Sequence, residues 1–221
     1  MDKPRLKLSK RLKALAEMVP KDSKNVVDVG TDHGHLIINL ILESEIEHAY
    51  GLDIASGPLK HASENVKAYN CESKITLLKM NGLAEFNHEA DSFIIAGMGA
   101  DTILDILNTY TFQPNQTILI QSNTKQPYLR KSLAERGFKI VDERFLYDNK
   151  QAVFIMEVTL GITTLSIEAS VLGPILMTKR NEAYDNYLAH RLESLKRIVL
   201  FNQEVHQEIR ILENYLNEVK T

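Results

Sequence analysis

The stretch VVDVGTDHGHL, residues 26–36, decides the fold, because it joins a short apolar run to a turn that contains glycine. The run has the length of a buried strand, and the turn places three polar residues between Gly30 and Gly34. The continuation HLIINLILES has the spacing of a helix. A strand, a glycine turn and a helix in this order place backbone N–H groups and a helix N-terminus beside a ligand. The stretch therefore predicts a ligand site at the first turn of an α/β fold.

Short apolar runs and helical patterns alternate along the first 136 residues. An amphipathic helix is predicted over residues 6–19. Strands are predicted at residues 25–29, 48–54, 74–80, 91–97 and 116–122, and helices at residues 35–44, 57–69, 101–109 and 126–136. Such alternation is typical of a parallel sheet with helices on both faces.

The pattern changes after Gly137. FKIVDERFLY and QAVFIMEV are two strand-like runs joined by a polar turn, which predicts an antiparallel hairpin without a crossover helix. A dehydrogenase-type Rossmann domain normally ends with another strand–helix unit instead. Seven strands of which the last is inserted antiparallel are the pattern of class I methyltransferases. The predicted fold class is therefore α/β, a Rossmann-like seven-stranded sheet that ends in an antiparallel hairpin.

The last part of the chain, from Ser166 onward, contains no β-rich run. Its apolar residues recur at spacings of three and four in two stripes, with a break near residues 201–203. This pattern predicts a coiled-coil-like pair of packed helices after a short connecting helix. The predicted domains are residues 1–163, which contain the sheet, and residues 164–221, which are helical.

Composition and charge indicate the setting in which the chain works. The single cysteine, Cys71, excludes a disulfide framework, and no apolar run suits a membrane span or a signal peptide, so a cytoplasmic protein without membrane contact is expected. The net charge is −3, but residues 1–24 carry a net charge of +5. This basic end indicates either an anionic partner such as nucleic acid or a solvated helix face. The basic residues assigned to an anionic substrate are Lys3, Arg5, Lys7, Lys10 and Arg11.

Polar and small residues follow the predicted strands where a nucleoside would bind. Asp53 ends the second strand 19 residues after Gly34, a distance at which a carboxylate can accept from both ribose hydroxyls. Asn81 follows the third strand, where its amide can accept from an adenine amino group, and AGMG (96–99) follows the fourth. An adenosine-containing cofactor is therefore predicted. The residues predicted to bind it are Asp28, Gly30, Thr31, Gly34, Asp53, Ile54, Asn81, Gly82, Ala96 and Gly97.

Asp32 discriminates between two kinds of cofactor. A dinucleotide site uses G-x-G-x-x-G so that the pyrophosphate lies on the backbone, and a carboxylate at residue 32 would repel it. The amino group and the sulfonium of S-adenosylmethionine are cationic and suit that carboxylate. The residue could also only stabilise the turn or cap the helix. The electrostatics favour S-adenosylmethionine, with an NAD-dependent oxidoreductase as the alternative.

Several segments together resemble one family over essentially the whole chain. DVGTDHGHL, LDIASGPL, NGL, IIAGMGADTIL and LRKSLAERGFKIVDERFLYDNKQAVFIMEV resemble the bacterial tRNA (adenine-22-N1)-methyltransferases. The resemblance implies S-adenosylmethionine as methyl donor, tRNA as substrate, and methylation at N1 of the adenine at tRNA position 22. Asn81 replaces the usual Asp, Ala100 replaces a Gly, and QSN (121–123) replaces the commoner QPN. Because of the first two departures, a non-catalytic RNA-binding module with a degenerate cofactor pocket is a further alternative.

The expected chemistry suits a ring nitrogen as the methyl acceptor. The chain lacks the [DN]-P-P-[YF] turn typical of enzymes that methylate exocyclic amines. N1 of adenine has its own lone pair, so its attack on the methyl group needs no prior deprotonation and depends mainly on alignment. The methylated product is cationic, so a nearby carboxylate would stabilise it. Asp32 is therefore predicted to be the catalytic electrostatic partner, and His33 to position the cofactor or the base. The residues predicted to contact the substrate base are Met98, Gly99 and Asn123.

Other candidates are given a smaller role. His33 and His35 with Asp32 could ligate a metal, but no second cluster completes the site, so no metal is expected. The remaining histidines are scattered in sequence and are given no function. Arg130 is interpreted as either a phosphate contact or part of an exposed helix face. The chain is expected to act on tRNA as a monomer, with its helical domain in contact with the tRNA and no protein partner implied.

Overall fold

The computed structural model describes residues 6–179, 181–198 and 203–219. Strands and helices alternate from residue 10 to residue 135, except at residues 80–91, which connect two strands without a helix. The strands are β1 (Asn25–Val29), β2 (His48–Asp53), β3 (Ile75–Lys79), β4 (Ser92–Met98), β5 (Thr117–Ser122), β6 (Phe138–Asp148) and β7 (Gln151–Leu160). The helices are α1 (Lys10–Met18), α2 (His35–Glu43), α3 (Ser56–Ala68), α4 (Ala100–Leu107), α5 (Gln126–Glu135), α6 (Ile167–Leu172), α7 (Glu182–Ile198) and α8 (Gln203–Val219), with a 3-10 turn at Leu176–Thr178. Within the described ranges, no helix is both long enough and apolar enough to span a membrane.

The sheet topology determines where a ligand can bind. The strands of the described residues form one sheet in the order β3-β2-β1-β4-β5-β7-β6. Strands β1 to β5 pair in parallel, whereas β7 lies antiparallel between β5 and β6, which confirms the predicted fold class. Val29 pairs with Leu52 on one side and with Ile95 on the other, so the carboxyl ends of β1, β2 and β4 lie side by side. The loops after these three strands therefore meet at one edge of the sheet.

Both faces of the sheet are covered by helices. Val27 lies in a buried apolar cluster with Ile103 of α4. Val26, on the opposite face, lies in a second cluster with Leu15 of α1 and Ile37 of α2. Because the two faces are occupied by these clusters, the loops at the strand ends are left for a ligand.

The C-terminal helices pack on the β6–β7 hairpin and share its core. Phe145 and Phe154, one from each strand of the hairpin, lie in the same buried cluster as Tyr184 of α7. Helices α7 and α8 pack against each other, as predicted, and the expected break near residues 201–203 lies largely outside the described residues. The division into residues 1–163 and 164–221 stays a prediction.

Candidate active site

The turn between β1 and α2 is fixed by glycine geometry and by backbone hydrogen bonds. Gly30 and Gly34 have φ angles of +78° and +72°, in the region that favours glycine. A Cβ atom on Gly34 would lie 3.3 Å from the Cβ atom of Ala62, so α3 packs directly against the turn. The N–H groups of Gly30 and Thr31 donate to the carbonyl oxygen of Leu52 at 2.8 and 2.9 Å. The turn is therefore held by the end of β2 on one side and by α3 on the other.

A polar cavity of about 210 Å³ lies between this turn and the end of β4. Its lining includes the predicted site residues Asp28, Asp32 and His33, together with Arg11 of α1. Asp28 is only 4% exposed, and this burial raises the pKa of its carboxyl to about 6. The Thr31 hydroxyl and the Arg11 guanidinium lower that pKa and so oppose part of the shift. The cavity thus combines a buried carboxyl with a nearby guanidinium.

Arg11 reaches this cavity through contacts between elements that are far apart in sequence. Its Nη1 donates to Oε1 of Gln121 in β5 at 3.1 Å. Its backbone N–H donates to Oδ2 of Asp148, at the end of β6, also at 3.1 Å. The second bond is the largest influence that lowers the pKa of the Asp148 carboxyl. The structure therefore places Arg11 in the lining of this cavity, beside residues that the sequence predicted to bind the cofactor, whereas the sequence assigned Arg11 itself to the substrate.

The other basic residues of the N-terminal stretch are placed differently. Lys7 and Lys10 are exposed, and Lys10 is the first residue of α1. Lys3 and Arg5 lie outside the described residues. The contact between these four side chains and an anionic substrate stays a prediction.

A second cavity, mainly apolar and of about 470 Å³, adjoins the first at Gly30. It lies at the ends of β2 and β3, and its lining includes Asp53, Ile54, Asn81 and Gly82, all predicted cofactor residues. The Ile54 side chain is 64% exposed, which is an apolar surface that a flat ring would cover. The volume and the mixture of apolar and polar groups are those of a small-molecule site.

Asp105 also lines the second cavity, and the sequence analysis did not select it. It lies on α4 together with Thr102, three residues earlier, and both side chains face the cavity. Asn81 occupies the position where the resembling family usually has Asp, and Asp105 supplies a carboxylate to the same cavity from another element. The spacing of three between residues 102 and 105 indicates that both lie on one face of a helix. The sequence does not indicate that this face meets a cavity.

A closed hydrogen-bond ring holds the loops after β4 and β5. Oε1 of Gln121 accepts from the Gly97 N–H at 3.1 Å, and Nε2 of Gln121 donates to Oδ1 of Asn123 at 3.0 Å. Nδ2 of Asn123 then donates to the Gly97 carbonyl oxygen at 2.9 Å, and the Asn123 N–H donates to the Met98 carbonyl oxygen at 2.8 Å. The structure thus brings the predicted residues Ala96 to Gly99 and Asn123 together. Gln121, which was not predicted as a site residue, joins them to Arg11.

Three histidines also come together beside the polar cavity. The ring of His33 stacks between those of His35 and His61, with centroid separations of 5.7 and 5.3 Å. His61, which is distant in sequence and was given no function, is brought to the turn by α3. Nε2 of His33 also lies 3.6 Å from Oδ1 of Asp32, whose side chain is 68% exposed. Within the part of the chain that the structure describes, no three His, Cys, Asp or Glu side chains converge as metal ligands.

Arg130 has neither of the two roles considered from the sequence. Its side chain is 1% exposed and forms an ion pair with Glu143, so it is neither a phosphate contact nor part of an exposed helix face. The amphipathic pattern of α5 did not reveal a buried cation, because its partner lies in another element.

Comparisons with known proteins agree with this geometry. The methyltransferase domain family matches residues 8–156, which include every lining residue of the two cavities. The tRNA (adenine(22)-N(1))-methyltransferase of Bacillus subtilis (strain 168) is 28% identical over 188 residues, which cover 81% of this chain and 79% of that protein. Streptococcus pneumoniae Sp1610, solved in complex with S-adenosyl-L-methionine, has a TM-score of 0.87 at 28% identity and covers 95% of this chain and 100% of its own. M. capricolum TrmK, solved with the cofactor product S-adenosyl-homocysteine, has a TM-score of 0.83 at 28% identity and covers 95% and 98%.

The similarity to the two solved structures extends over the helical C-terminal segment as well as the sheet, since each covers 95% of this chain. It confirms the resemblance stated from the motifs and displaces the NAD-dependent alternative. The chain belongs to the methyltransferase domain family and, within it, to the TrmK-like proteins.

Proposed function

We propose that this protein transfers a methyl group from S-adenosylmethionine to N1 of the adenine at position 22 of tRNA. The observation that carries the proposal is the pair of cavities that adjoin at Gly30. One contains the opposite charges of Asp28 and Arg11, and the other contains Asp53 and the exposed apolar side chain of Ile54. The names and ligands of the relatives support the choice of donor and acceptor.

The polar cavity suits the amino-acid end of S-adenosylmethionine, which carries one ammonium and one carboxylate. The carboxylate of Asp28 is a partner for the ammonium. The guanidinium of Arg11 is a partner for the carboxylate, because its fork of N–H donors matches two carboxylate oxygens. Gln121 fixes one edge of that guanidinium at 3.1 Å, which limits the orientations that the ligand can adopt.

The apolar cavity suits the adenosine end. Oδ1 of Asp53 accepts from the Ala55 N–H at 2.9 Å, which orients the carboxylate at the end of β2, where it can accept from the ribose hydroxyls. Ile54 can cover one face of the adenine ring. Asn81 and Asp105 both offer oxygens that can accept from the adenine amino group.

The reaction needs alignment more than acid–base chemistry. S-adenosylmethionine supplies an electrophilic methyl group: the lone pair of adenine N1 forms the new N–C bond, the S–C bond breaks, and its electron pair stays on sulfur. The loop of residues 96–99, held by Gln121 and Asn123, provides a rigid small-residue surface for the acceptor base. The carboxylate of Asp32 stabilises the positive charge that develops on the base, and His33 beside it restricts where that carboxylate points. Because N1 lies on the Watson–Crick edge, the base must be unpaired or flipped out.

Binding of the tRNA body is assigned to surfaces outside the cavities. Lys7 and Lys10 are exposed cations close to Arg11 in sequence and are suited to phosphate contacts. The helical segment is proposed to extend the RNA contact. We also propose a monomer, because the apolar side of α7 packs on the protein's own β6–β7 hairpin. A cytoplasmic location is proposed because the relatives include a tRNA-modifying enzyme.

Methyl transfer to unmodified tRNA transcripts tests the proposal. The full chain is incubated with labelled S-adenosylmethionine and a transcript that has adenine at position 22, and the product is mapped by reverse-transcription stops. A stop at that adenine is expected, since an N1-methyl group blocks base pairing. A transcript in which this adenine is replaced by guanine is the matched control and is expected to give no stop.

Other outcomes contradict specific parts of the proposal. A stop at a different adenine would support methyl transfer to tRNA but would contradict position 22 as the target. Thermal stabilisation by S-adenosylmethionine without transfer to any tRNA would favour the non-catalytic RNA-binding module or another substrate.

A further inference from the structure

The three stacked histidines form a continuous aromatic row that leads out of the polar cavity. His33 and His35 line the cavity, whereas His61 does not and is exposed on α3. The rings of His33 and His61 are parallel within 2° at a centroid distance of 5.3 Å, and those of His33 and His35 within 17° at 5.7 Å. The row therefore begins at the wall of the cavity and ends at the open surface.

Tertiary contacts between α3 and the glycine turn hold this row in place. Nδ2 of Asn65 donates to the His33 carbonyl oxygen at 2.9 Å and lies 3.4 Å from Nε2 of His35. Asn65 is one helical turn after His61 on α3, so the same helix face carries both. Ala62 packs against Gly34, as described above, and sets the distance between the helix and the turn. The packing of α3 on the turn therefore positions the row as well as the wall of the cavity.

The geometry and the charges around the row argue against metal ligation and against phosphate binding. Parallel rings do not direct their nitrogen atoms at one point, and the described residues contain no metal-ligating group of three. The carboxylate of Asp32 lies 3.6 Å from the His33 ring and would repel a phosphate there. Burial, with a contribution from His33, lowers the pKa of His35, so the inner ring favours its neutral form. A stack of flat rings with an exposed outer member is suited to another flat ring.

We propose that His61, backed by His33, is a stacking site for a nucleobase of the substrate RNA, namely the base next to the methylated adenine. This inference rests on the proposed function, because it assumes an RNA whose target adenine enters the polar cavity. An unpaired base beside a flipped-out adenine has a free face, and proteins bind such bases by stacking them on aromatic side chains. Stacking on His61 would hold the strand where the adenine enters the cavity.

The test compares His61→Ala, His61→Phe and His61→Lys with the wild-type chain, using an unmodified tRNA transcript that has adenine at position 22. Binding is measured by fluorescence anisotropy, and turnover is measured separately as kcat and KM for each substrate. His88→Ala is the matched control, because His88 is also exposed and ring-stacked, on Tyr50 at 4.9 Å, but precedes β4 at the opposite edge of the sheet.

His61→Ala is expected to raise the tRNA Kd and KM about 5- to 150-fold, the effect of losing one base–aromatic stack. The KM for S-adenosylmethionine and the melting temperature stay unchanged, because His61 is exposed and outside the cavity. His61→Phe restores tRNA binding to within about 2-fold, since stacking needs a flat ring and not an imidazole nitrogen. His88→Ala leaves both tRNA constants unchanged.

Two results would overturn the inference. One is tRNA binding by His61→Ala equal to that of the wild type. The other is recovery by His61→Lys but not by His61→Phe, which would make residue 61 a phosphate contact. Weaker binding by His61→Ala in a chain that transfers no methyl group would keep the stacking site and remove the proposed function. Transfer at adenine 22 that does not depend on residue 61 would support the proposed function and contradict the stacking site.

Discussion

Arg130 and Glu143 form a salt bridge that is almost completely buried, with Nε 2.8 Å from Oε1 and both side chains 1% exposed. Nη1 of Arg130, on α5, also donates to the carbonyl oxygens of Ser170 and Val171 at 3.0 and 3.1 Å. Oε2 of Glu143, in β6, accepts from the Ile175 N–H at 2.9 Å. The pair therefore joins the sheet to the first part of the helical segment.

Replacing one member of this pair is expected to destabilise the fold strongly. Arg130→Met leaves the Glu143 carboxylate buried without its cation, which should lower the free energy of unfolding by about 3–5 kcal/mol. Urea denaturation followed by circular dichroism measures the loss. Lys131→Met is the control, because the neighbouring Lys131–Glu135 pair is 3.9 Å apart and exposed, and it should change little. Equal effects of the two substitutions would show that burial of the pair is unimportant.

The ionised carboxylate of Asp28 is expected to lower the stability of the fold while it strengthens binding of the cofactor. Its folded pKa of about 6 lies above the usual 3.8, so between these pH values the folded chain holds a proton that the unfolded chain has lost. The contribution of Asp28 to stability therefore falls as pH rises from about 4 to about 6, and above that range the ionised carboxylate destabilises the fold. Asp28→Asn should raise the free energy of unfolding at neutral pH by about 1–3 kcal/mol and have no such effect near pH 4.

The same carboxyl should make cofactor binding depend on pH. Only ionised Asp28 attracts the ammonium of S-adenosylmethionine, so the wild-type affinity should fall as pH drops below about 6, by up to about tenfold per pH unit. Isothermal titration calorimetry between pH 5 and about pH 8 measures this slope. In Asp28→Asn the affinity should be low and independent of pH over that range. A wild-type affinity that stays constant across it would contradict contact between Asp28 and the ammonium.

Arg11 should bind the carboxylate of the same ligand. Arg11→Ala removes charge-assisted hydrogen bonds and is expected to raise the Kd for S-adenosylmethionine about 10- to 100-fold. The affinity for 5′-methylthioadenosine, which lacks the amino-acid end, should stay the same, and calorimetry with both ligands makes the comparison. Lys13→Ala, an exposed cation on the same helix, should affect neither ligand. Equal losses for both ligands would mean that Arg11 only supports the loop through Gln121.

Features that depend on residues close together in sequence were predicted correctly, and features that depend on contacts between distant elements were not. The parallel sheet, the hairpin and the glycine turn were predictable, because strand and helix periodicity and turn chemistry are local properties. The residues at the strand ends were also predictable, since Asp53 and Asn81 follow apolar runs and parallel strands bring such ends together. These predictions used spacing along the chain alone.

The residues whose surroundings sequence reasoning missed lie on elements whose relative orientation the sequence does not give. Arg11 belongs to a basic run that resembles an RNA-binding tail, and its contact with Gln121 spans 110 positions. His61 becomes part of the row of histidines only because α3 packs on Gly34. Arg130 is buried through a partner in β6. In each case the burial or the partner depends on how two elements pack, and hydrophobic periodicity does not encode that orientation.

A single substitution at Asp32 can test its proposed catalytic role without disturbing the fold or cofactor binding. It has a φ angle of +50°, which Asn adopts readily and Ala does not, so Asp32→Asn removes the charge and keeps the turn. If Asp32 stabilises the cationic product, Asp32→Asn should lower kcat for tRNA methylation about 10- to 100-fold, while the Kd for S-adenosylmethionine changes less than about 2-fold. Asp22→Asn, the same change at an exposed position before β1, is the control and should leave kcat unchanged. Near-normal turnover of Asp32→Asn with normal cofactor binding would assign Asp32 to the turn alone, and alignment by the loop of residues 96–99 would then account for the catalysis.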